Sequence, residues 1–72
     1  MADLEMHSVV ALLEDLPEDA LVRGQVGTVV GDWASGVYEV EFCDSTGKTY
    51  AMIALKAEQL MVLHHDRTHQ AA

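Results

Sequence analysis

A chain of 72 residues, with twelve Asp and Glu against four Lys and Arg and a net charge of −8, has room for a single small core and presents a surface that repels phosphate backbones. Its cations, Arg23, Lys48, Lys56 and Arg67, are scattered along the chain, which argues against nucleic acid and makes a basic protein the better electrostatic match, although excess negative charge also serves solubility. The single cysteine, Cys43, excludes an internal disulfide and a multi-cysteine metal site, and no stretch approaches the ~20 apolar residues of a membrane span, so a cytoplasmic protein with no cofactor and no membrane contact is expected.

Residues 1–7 form a short mixed N-terminal segment. Ser8 to Leu13 is apolar enough for either a buried strand or a helical turn; Asp3 could cap a helix, but the adjacent Val9 and Val10 and the nearby Pro17 favour a strand. Glu14 to Leu21 is an acidic connection in which Pro17 holds Leu16 out of the helical region, giving a long ordered loop with room for one 3₁₀ turn. Arg23 to Val30 follows. Gly24 is expected to end the loop, and Gly27 to kink the next strand or let another backbone pass closely.

Val26 to Trp33 reads as the second strand, with Ala34-Ser35-Gly36 as a turn. The alternation Tyr38-Glu39-Val40-Glu41-Phe42 is the strongest strand signal in the chain, placing Tyr38, Val40 and Phe42 on the core and the two glutamates outward. Asp44 to Lys48 is a hairpin loop with Gly47 at a late position suited to positive φ, and Thr49 to about Ala54 is a fourth strand. A single turn over Leu55 to Leu60, with both leucines inward, leads to a last strand, Met61-Val62-Leu63. The domain therefore spans residues 8–63, and residues 64–72 form a tail without apolar period, expected to be mobile.

Five short strands, a long first loop, a glycine-flanked second strand and one turn before the last strand look like an SH3-like barrel, a mainly all-β fold. Leu13-Glu14-Asp15-Leu16-Pro17, then Leu21 to Val30, Tyr38 to Phe42, Asp44, Gly47 and Glu58-Gln59-Leu60 resemble a family of very short bacterial proteins classed as a domain of unknown function. That resemblance covers nearly all of residues 8–63 and implies no activity. The Gly24-x-x-Gly27-x-Val29 element is also similar to that of KOW-type barrels and of the barrels of nitrile hydratase β subunits and their accessory proteins. The chain lacks the basic loops of the first and the large helical part of the second.

Gly24 and Gly27 precede a strand and no Lys-Ser or Lys-Thr follows them, so a phosphate loop is excluded in favour of turn geometry, as for Gly36 and Gly47. In SH3-like barrels the first loop is one wall of the ligand groove, so Glu14, Asp15, Glu18 and Asp19 are candidates to select a basic partner, and otherwise form a solvated charge run. Trp33 beside its turn, with Tyr38 and Tyr50, could offer a peptide-docking aromatic cluster; alternatively Tyr38 fills the core and Trp33 covers its rim. His64, His65, His69 and Asp66 have a spacing that could meet a metal, but a tail supplies no rigid support, and no metal site is expected. Met52, Ile53 and Leu60 to Leu63 exceed the needs of so small an interior, which points to a homodimer, or a tight complex with the product of a neighbouring gene, through the last two strands. The expected function is a non-enzymatic module binding a basic protein, antitoxin-like in character, or alternatively an accessory, subunit-like barrel of a larger enzyme.

Overall fold

The computed structural model describes residues 4–64. It has five strands, β1 (Val9–Leu12), β2 (Val26–Ala34), β3 (Val37–Cys43), β4 (Thr49–Lys56) and β5 (Leu60–Val62), with 3₁₀ turns at Pro17–Asp19 and Ala57–Gln59. They make one antiparallel sheet in the order β4-β3-β2-β1-β5. The all-β expectation holds, as does the single turn before the last strand. Among the described residues no helix is long and apolar enough to cross a membrane.

Alternation makes the sheet two-faced. Tyr38, Val40 and Phe42 on β3 are buried, and Val10 and Leu12 on β1, Val29 on β2, Leu55 on β4 and Leu60 at the start of β5 join them, with Leu21 added from the first loop. Each such side chain contributes about 1.5–3 kcal/mol through removal from water, which is most of what so short a chain can collect. Leu55 is the penultimate residue of β4, paired with Tyr38, and does not belong to the following turn as expected. The reason is that Ala51, Ile53 and Leu55 continue the period-two inward pattern over the core, which outweighs the helix-forming look of Leu-Lys-Ala-Glu-Gln-Leu. The last strand correspondingly begins at Leu60, one residue earlier than its pattern suggested.

The described part of the N-terminal segment is tied to this core. The Leu4 amide donates to the buried Tyr38 hydroxyl at 3.1 Å, the His7 amide donates to the Val29 carbonyl at 2.7 Å, and Leu4 packs against the core cluster. At the β3–β4 hairpin, one Asp44 carboxylate oxygen accepts the Thr46 amide at 2.9 Å, the Thr46 hydroxyl at 2.7 Å and the Lys48 amide at 3.0 Å. These donors, the Thr46 hydroxyl foremost, hold the Asp44 carboxyl below its ordinary 3.8.

Gly27 lies on β2 next to Thr28, which pairs with Glu41 of β3, and is packed closely by β3. A Cβ there would lie 2.8 Å from Val40 Cγ1, 2.9 Å from the Glu41 carbonyl oxygen and 2.9 Å from Phe42 Cε1, so no side chain fits unless the two strands part. Gly24 is different, since it has open space around it and a φ of 92°.

Two outcomes are expected. Gly27→Ala should cost about 2–3 kcal/mol in urea melts by overpacking, and Gly24→Ala about 1–2 kcal/mol by left-handed strain alone. Because the folded pKa of Asp44 is depressed, its contribution to stability is present above the ordinary carboxylate pKa and is lost as pH falls through the folded value. Melts of Asp44→Asn should therefore lose part of the wild-type decline in stability below about pH 4.

Candidate interaction site

The β1–β2 connection is a loop held at several points. Its base is closed by the Leu12 amide donating to the Gln25 carbonyl at 2.9 Å and the Gly24 amide donating to the Leu12 carbonyl at 2.8 Å. Midway, Leu16 and Leu21 exchange hydrogen bonds of 2.9 and 3.1 Å; Leu21 is fully buried in the core and Leu16 packs against it. Between them Pro17–Asp19 makes its 3₁₀ turn, entered by Leu16 at φ −124° and ψ 77°, outside the helical region that a following proline disfavours. Ala20 ends the turn in the left-handed region at φ 58°, its amide donating to the Pro17 carbonyl at 3.1 Å. A non-glycine residue at positive φ persists only where the surroundings hold it, and here the buried Leu21 and the half-buried Leu16 do so.

The four candidate carboxylates divide into two pairs on this frame. Asp15 accepts the Arg23 amide at 2.8 Å and so staples one side of the loop to the other. Glu14 accepts the Gln59 side-chain amide at 2.8 Å, tying the loop to the turn before β5. Glu18 and Asp19 stand exposed on the 3₁₀ turn. The first pair thus takes part in holding the loop, and the second pair is presented to solvent by it.

The aromatic residues are not brought together. Tyr38 is buried and its hydroxyl meets Leu4. Trp33 is 67% exposed and is the extra residue of a bulge, since Asp32 pairs with Tyr38 and Ala34 with Val37; its indole N–H donates to the Glu39 carboxylate. A bulge re-aims a side chain, which here turns the indole out over β3 and away from the core rim. The acidic loop enters β2 at Val26 and Trp33 is the penultimate residue of that nine-residue strand, so most of its length separates them.

Tyr50 is the aromatic that the loop does have. Its hydroxyl accepts the Gln25 side-chain amide at 2.7 Å, its ring centroid lies 6.4 Å from that of Phe42, and it is about half exposed. Gln25 in turn accepts the Val22 amide at 2.9 Å through its side-chain oxygen, and Val22 is 59% exposed. The exposed Val22 and Tyr50 are thus linked through Gln25 at the base of the acidic loop, and Tyr50 is the residue of β4 left without a partner where Ala51 pairs with Phe42 and Thr49 with Cys43.

Cys43 is exposed, 3.6 Å from the Thr49 hydroxyl. His64 is exposed at the end of the described chain, and His65, Asp66 and His69 lie outside the described residues. Among the described residues no three His, Cys, Asp or Glu gather at metal-binding distance. Of the apolar residues expected to be in excess, Leu60 is buried, Ile53, Val62 and Leu63 are half-buried, and Met52 and Met61 remain exposed.

The profile of a family described as a domain of unknown function, DUF4926, matches residues 6–62, and the chain belongs to that family. Comparison with curated proteins and with solved structures gave no match.

The division among the carboxylates sets an expectation. Asp15→Ala should lower stability by about 1 kcal/mol because the Arg23 amide loses its acceptor, whereas Glu18→Ala and Asp19→Ala should stay within about 0.5 kcal/mol of wild type, all read from urea midpoints.

Proposed function

From membership of a family without an assigned role and from a loop whose carboxylates are held in place, we propose that this chain is a non-enzymatic interaction module that binds a basic protein surface, in the manner of an antitoxin-like neutraliser. The strand order and the 3₁₀ turn before β5 fit an SH3-like barrel, in which the first loop walls a ligand groove. The observation that carries the reading is the ordered presentation of Glu18 and Asp19. A loop anchored by Leu16 and Leu21 loses little conformational freedom when it binds, and neighbouring carboxylates steer a cationic partner to it over about a Debye length. Val22 and Tyr50 supply apolar contact alongside the charge. A single cysteine suits a reducing compartment, so the cytoplasm is the proposed location.

A second reading, a subunit-like barrel seated on a larger enzyme, is favoured by a row on the outer face. Val26, Ala11 and Met61 are paired side by side across β2, β1 and β5; Val26 and Met61 are about half exposed while Ala11 between them is 6% exposed. An apolar row of this kind suits a permanent interface more than a salt-sensitive one.

Affinity capture from native lysate separates the two readings. A small basic protein that is retained at low salt, released at high salt and weakened on the order of tenfold or more by Glu18→Lys with Asp19→Lys is the expected result. Capture that ignores both the salt and the double substitution would remove the acidic loop from the function, and a large enzyme lost on Val26→Lys or Met61→Lys would establish the second reading.

A further inference from the structure

The edges of the sheet are unequal. β5 at one edge is three residues long, whereas β4 at the other has eight, Thr49–Lys56, and its cross-strand partners all lie on β3. Protection of this edge is confined to its two ends, a register irregularity at Tyr50 and a charge at Lys56; the stretch Ala51 to Leu55 between them carries no proline and no charged residue.

The direction of its free backbone groups follows from the ladder. Val29 donates its amide to Ser8 and accepts the His7 amide, so its N–H and C=O point away from β3 and the pair Val29–Val40 is not hydrogen-bonded. Val40 then turns to β4 and forms a hydrogen-bonded pair with Ile53, and the alternation along β4 leaves the N–H and C=O of Met52 and Ala54 directed outward. Lys56 fits the same phase, because its amide also points away from β3 and is taken by the Gln59 side chain at 2.8 Å. Met52, 52% exposed, and Ala54, also exposed, flank this edge with uncharged side chains.

We infer that the chain forms a two-fold symmetric dimer by antiparallel pairing of β4 with β4 of a second copy, Ile53 opposite Ile53 and Met52 opposite Ala54. Each of the two Met52–Ala54 pairs exchanges two N–H···O=C bonds, and the half-buried Ile53 side chains extend one core into the other. Charge selects the occupant. Lys48 and Lys56, two of the three described Lys and Arg residues, stand at the ends of this edge and oppose a basic strand, while two copies meet here without setting carboxylate against carboxylate. Charge also selects the register: pairing centred on Met52 sets Lys48 against Lys56 of the second copy, and pairing centred on Ile53 brings Lys48 toward Glu58 instead.

The test combines sedimentation equilibrium with amide hydrogen exchange on the full chain over low-micromolar to millimolar concentration. The expected result is a reversible dimer in which the Met52 and Ala54 amides gain protection as concentration rises. Ala54→Pro removes an outward donor at a position where an edge strand accepts proline, and Met52→Lys places charge beside the pairing; each should raise the dissociation constant by about tenfold or more with an unchanged circular dichroism spectrum. Glu18→Lys with Asp19→Lys should dimerise as wild type does, which keeps this result separate from partner binding. A wild-type monomer at millimolar concentration, a dimer indifferent to Met52→Lys, or Met52 and Ala54 amides whose exchange ignores concentration would each overturn the inference.

Discussion

The close packing of β3 against Gly27 on the neighbouring strand β2 is the constraint on which the core depends. Val40 and Phe42 fill the space that a side chain at Gly27 would need, and the Glu41 carbonyl closes it from the backbone side. The sheet curls over its own interior, since Val10, Leu12, Val29, Leu55 and Leu60, from strands at both edges and between them, join the same core as Tyr38 and Phe42. A sheet of five short strands held flat would leave one side of each open to water, and a chain of this size has no second layer to cover it.

The curl determines where function can lie. It directs the β1–β2 loop across one end of the core, where Leu21 and Leu16 anchor it and the acidic turn between them is held outward. It also leaves β4 as the long edge, with backbone groups directed at solvent and few charges to guard them. The acidic loop and the β4 edge are thus two surfaces of opposite character, one charged and stapled, the other neutral and open. The proposed basic partner and the proposed second copy of the chain call on different residues.

Much of the fold was legible because its signals are local. The alternation from Tyr38 to Phe42, the proline before the acidic turn and the glycines at Gly24, Gly36 and Gly47, with φ of 92°, 77° and 88°, each reflect a backbone requirement met by one or two neighbouring residues. The boundary between β4 and β5 was less legible. Lys56 to Gln59 has the composition of a helical turn, and the pairing of Leu55 with Tyr38 and of Lys56 with Val37 carries the strand through to Lys56.

For the candidate site, residue types alone pointed to Glu14, Asp15, Glu18 and Asp19 as acidic and to Trp33 as a large side chain near a turn. Only the tertiary structure divided them, because Asp15 has its acceptor taken by Arg23 and Glu14 by Gln59, contacts made between residues distant in the chain or across the loop. It likewise separated Trp33 from the loop by the length of β2 and put Tyr50 beside it instead. The sequence by itself determined the strands, the turns and the sign of the charge, since these depend on backbone preference and composition. The tertiary structure decided which carboxylates are free and which edge is bare, since these depend on hydrogen-bond partners and strand neighbours that no local pattern encodes.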